Sequence, residues 1–327
     1  MALASVAMVA CSAGQSSPSD SGGQASASGD VSFPLELDSC GQKVIVEKRP
    51  EKVLTIGADP LEQMSAAGAG DKVVAYSALL GMQLPDLPGV TANELTSDDP
   101  STEQILSTGA DFVVANAFLN TDPETLKNSG ITSWVPSSVC DHLVASSSEK
   151  VDGAVADKPI MEKIQDDIKT MGLLFGTSET ADHAVEDFAA RIKAISAQNL
   201  GQGKSVALVY YFDGNSPIGA IGNGGIPAEF AAGLGLKNVF EDQKEIWIND
   251  ASWEAILQKD PDIILFMTDM TPGMDFNKNK ERLLAENGAD NLKAVKEGAF
   301  LELKYNQGIA APLSVVGLES LAKQMQQ

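Results

Sequence analysis

The chain has 327 residues, of which 43% are hydrophobic, and its formal net charge at pH 7 is −22. A chain of this length suits two domains of ordinary size, and its acidity argues against a nucleic-acid partner because few cations are available to neutralise phosphates. The sequence contains no apolar run approaching the roughly 20 residues that a membrane-spanning helix needs.

The amino terminus has the pattern of a signal segment followed by a tether. Residues 1–10 are small and apolar, Cys11 follows directly, and Ser, Gly, Ala and Gln dominate as far as Gly29. The arrangement resembles the end of a bacterial lipoprotein signal peptide, with Cys11 as the lipidated, palmitate-carrying residue. Residues 11–32 then form a flexible tether, since they cannot bury apolar surface. The alternative is an apolar end without any role in export.

Lipidation of Cys11 leaves two further cysteines, Cys40 and Cys140. An exported chain sits in an oxidising compartment, where an even remainder favours a disulfide. We therefore predict a Cys40–Cys140 bridge within the first half of the chain; two buried free thiols are the alternative. The sequence has no CxxC pair, so neither a cysteine zinc site nor thioredoxin-like chemistry is expected.

Predicted strands and helices alternate from Val44 onward, which indicates parallel sheets with helices on their faces. The strongest helical pattern lies between the two halves, where an apolar stripe recurs at spacings of three and four from Ile160 to Phe175. A second helix follows with no strand between, so we predict that the first one connects two lobes. The predicted strands are 53–56, 73–76, 112–115 and 131–135 in the first half and 206–211, 263–267 and 300–303 in the second.

Two segments of the chain repeat each other, one beginning at Ser101 and the other at Ser252. Each copy predicts a short helix with an acid near its start, then a turn and a buried strand. The glutamates Glu103 and Glu254 occupy matching places. The duplication predicts two lobes of similar build, each presenting one glutamate to a partner.

The sequence shows no pattern of catalytic or metal-binding residues. Its two histidines, His142 and His183, are far apart, and no HExxH motif occurs. Metal sites and catalytic triads need more imidazoles or carboxylates in defined patterns. We therefore expect no direct metal site, no cofactor and no enzymatic activity.

Aromatic and amide side chains do gather at the carboxyl ends of the predicted strands, where open α/β sheets bind ligands. Such side chains suit a bulky, partly apolar organic ligand, although any one of them alone could equally be an ordinary core or surface residue. The candidates are Tyr76, Asn116, Phe118, Ser138 and His142 in the first half and Tyr210, Tyr211, Asn223, Trp247, Tyr305 and Asn306 in the second.

From about Val44 to Gln327 the chain resembles the substrate-binding proteins of ABC importers for iron–siderophore complexes and vitamin B12. Three parts carry the resemblance: residues 49–56 with 68–74, the repeat pair, and residues 233–239. It implies two Rossmann-like α/β lobes with mainly parallel sheets, at 33–157 and 177–327, joined by a single long helix at 158–176. Cys40 and Cys140 further resemble the pattern of Gram-positive, particularly actinobacterial, lipoprotein members.

The resemblance also implies a function. In this family one glutamate per lobe docks onto arginines of the permease dimer, and the motif match places these acids at Glu103 and Glu254. The chain is then expected to be a monomer, lipid-anchored to the outer face of the cell membrane, that binds a small-molecule metal chelate.

The chain's three arginines, Arg49, Arg191 and Arg282, lie away from the predicted strand ends. This disfavours anionic catecholate and carboxylate siderophores and leaves hydroxamate siderophores, cobalamin and haem. We predict an iron(III)–siderophore ligand, with cobalamin or haem as the alternative. From a different class, a surface lipoprotein with an enzymatic or adhesive role is a further alternative.

Overall fold

The computed structural model describes residues 31–78, 84–140, 158–248 and 251–327. The predicted signal segment, the predicted lipidation site Cys11 and all of the predicted tether except residues 31 and 32 lie outside the described residues. The predicted site residue His142 also lies outside them. Within the described residues, no helix combines the length and the apolar character that a membrane span requires.

An antiparallel hairpin opens the described chain and is joined to the first sheet. It consists of β1 (Leu35–Ser39) and β2 (Gln42–Val46). Trp134 Nε1 donates to the Asp38 carbonyl over 2.7 Å, and the structure pairs Cys40 with Cys140 in a disulfide. The predicted bridge is therefore present, and it ties the hairpin to the chain that follows the last strand of the first sheet.

The first sheet is parallel throughout, with strand order β5-β4-β3-β6-β7. Its central strands carry only buried side chains, as expected where helices cover both faces of a parallel sheet. Its elements are β3 (Val53–Ile56), α1 (Ala58–Ala66), β4 (Val73–Ser77), β5 (Asn93–Glu94), α2 (Thr102–Ser107), β6 (Phe112–Ala115), α3 (Pro123–Asn128) and β7 (Thr132–Trp134).

Two long helices follow, α4 (Ile160–Phe175) and α5 (Ser178–Ser196). The apolar stripe of α4 is buried along its whole length, as predicted. Helix α4 is capped by Gly176, whose φ of 76° is the left-handed conformation that favours glycine. Its side chains belong to the same apolar cluster as residues from both sheets, so this helix packs against both halves of the molecule.

The second sheet is mixed, with strand order β11-β9-β8-β12-β13 and β10 beside the start of β8. Strand β9 runs antiparallel to β8, whereas β12 and β13 run parallel to it. Its elements are β8 (Ser205–Tyr211), β9 (Ile218–Ile221), α6 (Ile226–Gly233), β10 (Lys237–Asn238), β11 (Trp247–Ile248), α7 (Trp253–Lys259), β12 (Ile263–Thr268), α8 (Phe276–Leu284), α9 (Lys293–Glu297), β13 (Phe300–Lys304) and α10 (Ser314–Met325). The predicted α/β class with mainly parallel sheets is confirmed.

The sequence repeat corresponds to two equivalent units, α2–β6 and α7–β12. The Ser101 and Ser252 side chains accept from backbone N–H groups and cap the two short helices. The repeated aspartates also have matching roles, because Asp111 accepts from the N–H groups of residues 51 and 52 while Asp262 accepts from the Ser205 N–H. In each half, the aspartate therefore fixes the start of the first strand of the sheet.

Candidate ligand-binding site

The carboxyl ends of β3 and β6 form a polar corner at the centre of the first sheet. These neighbouring strands flank the point where the strand order reverses, which is where open α/β sheets bind ligands. Asn116 follows β6, and its Nδ2 donates to Asp59 Oδ2 over 3.2 Å. Gly57, at φ 103°, is required there because a Cβ atom would collide with the Asn116 side chain.

The two halves of the molecule meet beside this corner, through α1 and the segment that follows β13. Ala58 packs against Ile309 and Ala311, with Tyr305 at the edge of the cluster. Gln63 Nε2 donates to the Ala310 carbonyl over 3.0 Å, and the Leu313 N–H donates to Glu62 Oε2 over 3.1 Å. We call the surface formed by Asp59, Asn116 and Tyr305 at this junction the cleft floor.

Burial controls the acidity of several groups at this junction. Burial raises the pKa of Glu62 to about 8, although the Leu313 N–H opposes the shift. Burial, and then the negative charge of Asp59, raise the pKa of Tyr305 to about 12. The Tyr305 phenol therefore stays protonated at neutral pH.

A buried carboxylate also ties α4 to the end of the first sheet. Asp167 accepts from the Ser137 N–H and hydroxyl, both over 2.9 Å, and from the Ser138 N–H over 2.8 Å. Burial raises the pKa of Asp167 to about 6, against the opposing effect of these hydrogen bonds. The carboxyl end of β7 is thus held by the connecting helix.

The second sheet contributes an aromatic pair. The rings of Tyr210 and Trp247 meet edge to face with their centroids 5.0 Å apart. The Tyr210 ring lies across Gly219 on the neighbouring strand, where any Cβ atom would collide with it. Burial raises the pKa of Tyr210, so this phenol is also protonated at neutral pH.

The adjacent Tyr211 lies on the opposite face of β8, because successive strand residues alternate between faces. Its side chain is 1% exposed within a separate apolar cluster. The Arg282 guanidinium sits 4.1 Å from the ring centroid and donates to the carbonyls of Asp213 and Ser216. Tyr211 is therefore placed in the core, away from Tyr210 and Trp247.

The remaining predicted site residues differ in how accessible they are. Tyr76, Asn116, Phe118, Trp247, Tyr305 and Asn306 are half-buried and retain surface for a ligand. Asn223 is exposed, and its N–H donates to the Gln243 carbonyl. Ser138 is fully buried and accepts a hydrogen bond from Gln63 over 2.9 Å. Phe118 precedes a loop whose Leu119 and Asn120 N–H groups donate to one oxygen of Asp99.

Sequence reasoning missed Asp59, Glu62 and Gln63. Asp59 stands three residues beyond β3, so the strand-end rule that selected Asn116 could have found it. Glu62 and Gln63 carry no such signal, because their partners lie about 250 positions away in the chain.

The two glutamates of the repeat are both exposed in the first turn of their helices. Among the described residues, neither forms an ion pair. The copies differ one turn later: Leu106 is 43% exposed, whereas its counterpart Leu257 packs near Gly288. The acid is thus presented in both halves, and the apolar side chain beside it only in the first.

The chain's three arginines all have protein partners. Arg49 lies 5.9 Å from the centre of the Phe33 ring, and Arg191 pairs with Glu319 over 2.8 Å. Arg282 is occupied by the two carbonyls described above. Within the described parts of the chain, no group of three or more His, Cys, Asp or Glu residues is arranged to hold a metal ion.

Comparison with known proteins gives one family and several structures of the same fold. A family model described as periplasmic binding protein matches residues 55–306. The structure resembles an ABC-type Fe³⁺-hydroxamate transport protein from Saccharomonospora viridis, with 23% identity, a TM-score of 0.70 and coverage of 90% of this chain and 100% of that one.

Two structures from Vibrio cholerae share the same fold. The periplasmic vitamin B12 binding protein is 18% identical with a TM-score of 0.60, covering 85% of this chain and 97% of its own. The periplasmic heme binding protein is 16% identical with a TM-score of 0.64, covering 85% and 100%. None of the curated proteins compared with the chain matches it significantly.

Proposed function

The chain belongs to the periplasmic binding protein family, a family of extracytoplasmic ligand-binding transport proteins rather than enzymes, and we propose that it delivers an iron(III)–siderophore complex to the permease of an ABC importer. The observation that carries the proposal is the cleft floor, where Asn116 from the carboxyl end of the first sheet and Tyr305 from that of the second both lie against the start of α1. Such a surface suits a bulky chelate that offers apolar edges and a few polar groups.

The electrostatics of the site favour a siderophore over haem. Haem iron needs a ligand from the protein, such as a tyrosinate, and burial raises the cost of ionising Tyr210 and Tyr305 before any iron is bound. Haem also carries two carboxylates, whereas the three arginines are occupied by protein groups. A ferric hydroxamate brings its own iron ligands and needs neither feature, and the Saccharomonospora protein is described as part of a hydroxamate transport system.

Cobalamin is the second candidate, supported by the shared fold with the vitamin B12 binding protein.

A titration separates the candidates. The protein without residues 1–30 is titrated with a ferric trihydroxamate, a ferric catecholate, cobalamin and haem, and its tryptophan fluorescence is followed. The proposal expects the trihydroxamate to bind in the micromolar range or tighter and to quench the fluorescence. Tight binding of cobalamin or haem alone would contradict it.

Delivery to the permease depends on the two exposed glutamates. Each sits in the first turn of a capped helix, one in each half of the molecule, and carries an uncompensated charge for an arginine-bearing partner. Each exposed ion pair contributes only modest affinity, so these pairs set the orientation of the docked protein more than the strength of its binding.

We take residues 33–157 and 177–327 as the two lobes and α4 as a rigid link, which limits closure to a small motion.

Charge reversal tests this docking surface. Glu103→Lys combined with Glu254→Lys is expected to abolish uptake of the ferric chelate in cells that lack the wild-type copy, while ligand affinity stays unchanged. The matched control is Glu124→Lys with Glu186→Lys, two glutamates exposed elsewhere on helices. Loss of ligand affinity in the first pair would place those acids in the ligand site instead.

The family is extracytoplasmic, and we extend the proposal to a lipid anchor at Cys11, with residues 11–32 as the tether to the outer face of a Gram-positive membrane. The Cys40–Cys140 disulfide supports an oxidising compartment. Metabolic labelling with palmitate tests the anchor: Cys11→Ala is expected to lose the label and to release the protein into the medium. Retention of the label would place the lipid on another residue.

A further inference from the structure

Asp59 is a nearly buried carboxylate with no cationic partner among the described residues. Its side chain is 7% exposed, and its hydrogen bond comes from the Asn116 amide over 3.2 Å. Within the described part of the chain, no lysine, arginine or histidine forms an ion pair with it. Among the described residues, Asp59 is thus a carboxylate on the cleft floor with no cation paired to it.

Holding an uncompensated carboxylate out of water is costly. Asp59 lies in the first turn of α1, where the helix dipole favours an acid, but that interaction typically offsets only about 0.3–1 kcal/mol. Replacement by an amide or a small polar residue would remove the cost in the protein without a ligand. The fold alone gives this carboxylate no stabilising role, whereas a ligand that supplies a positive charge would pair with it.

The groups around Asp59 match a hydrogen-bond donor and not an acceptor. The Asn116 amide is oriented by its donation to Asp59, which leaves its Oδ1 atom buried and without a partner. Carboxylate and amide oxygens thus sit together with unused acceptor capacity. A protonated primary amine has three donors and no acceptor, so its chemistry complements this pair.

We infer that Asp59 is a specificity-determining residue that selects ferric chelates carrying a protonated amine over neutral or anionic ones. The inference deepens the proposed function and rests on it, since it concerns which siderophore occupies the same site. A chelate with a pendant ammonium would direct that group to Asp59 and Asn116, while its apolar edges lie against the half-buried Tyr305.

Two chelates that differ only in this charge provide the test. Ferrioxamine B is a linear ferric trihydroxamate with a free ammonium group, and its N-acetylated derivative lacks the charge. The inference expects wild-type protein to bind ferrioxamine B about tenfold more tightly than the derivative, the order expected of a partly desolvated ion pair. Asp59→Asn is expected to lower that ratio to near one and to leave the affinity for the derivative within about twofold.

Two further variants separate this role from a structural one. Asp59→Glu keeps the charge and should retain a preference for ferrioxamine B. Asp71→Asn removes the same charge from an exposed site beside Lys72. Asp71 precedes β4 and so lies at the amino ends of the strands, opposite the cleft floor, and this variant should leave the ratio unchanged. Thermal melting of each variant shows whether it is folded.

The outcomes are distinguishable. Equal binding of the two chelates by wild-type protein, or a preference that survives in folded Asp59→Asn, would overturn the inference and leave the proposed function intact. If neither chelate bound while cobalamin or haem did, the proposed function would fail and this inference with it.

Discussion

Glu62 gives a prediction whose sign and size follow from its position between the two halves. Burial raises its pKa from 4.5 to about 8 in the folded protein, so the folded state holds a proton that the unfolded chain has released. The free energy of unfolding should therefore be highest below about pH 4.5 with respect to this group and fall as the pH rises toward 8. A shift of this size corresponds to at most about 5 kcal/mol.

The Glu62→Gln variant isolates this contribution. The amide keeps an oxygen that can accept from the Leu313 N–H but has no proton to lose. We expect the variant to be more stable than wild type at pH 8 by a few kcal/mol at most and nearly equal to it at pH 4.5. The buried Asp167 is common to both proteins, so its titration largely cancels in the difference.

Chemical denaturation of wild type and variant between pH 4.5 and 8.5, followed by circular dichroism, provides the measurement. Glu103→Gln, which changes an exposed glutamate, should follow the wild-type curve. A stability difference that does not grow with pH, or that grows equally for Glu103→Gln, would refute the burial of an ionisable Glu62 at the junction.

Three further predictions concern the elements that support the site. Cys40→Ser with Cys140→Ser should lower the free energy of unfolding by about 2–5 kcal/mol and leave ligand affinity unchanged, because the bridge lies between the hairpin and the chain after β7; an affinity loss in titration would contradict this. Gly219→Val should weaken ligand binding at least severalfold, since the new side chain displaces the Tyr210 ring, and an unchanged affinity would show that this ring does not contact the ligand. The pKa of Asp262 lies at about 2 through its hydrogen bonds with Lys293 and the start of β8. Asp262→Asn should therefore lose stability at pH 7 by about 1–3 kcal/mol but little below pH 2, and equal losses at both pH values in denaturation curves would argue against it.

Much of the fold could be predicted from local patterns. The apolar stripe of α4 and the apolar strands β3, β6 and β12 could be predicted because the sequence of each element alone carries the signal for its burial. In α4 that signal is the helical spacing of apolar residues, and in the strands it is an unbroken apolar run. The short strand β5 and the antiparallel strand β9 were not found. The first carries no apolar signal, and the second contains glycine where the neighbouring Tyr210 ring approaches closely.

The candidate site was predictable only in part. Strand ends can be located from the sequence, but the direction in which each side chain points cannot be read from it. Tyr210 and Tyr211 are neighbours with equal local signals, but the packing of β8 turns one toward Trp247 and the other into the core. The packing of Tyr305 beside Ala58 depends on how the two halves meet. Nothing within either segment encodes that contact.

The central claim is that a ferric chelate binds between the two halves of the molecule, on the cleft floor. Anomalous diffraction at the iron absorption edge, from crystals grown with a ferric trihydroxamate, locates the metal directly. The account predicts a single iron peak between the carboxyl ends of the two sheets, with the chelate contacting Tyr305 and the Tyr210–Trp247 pair. An iron peak on the outer surface, or a chelate-free cleft in protein that binds the chelate in solution, would contradict it.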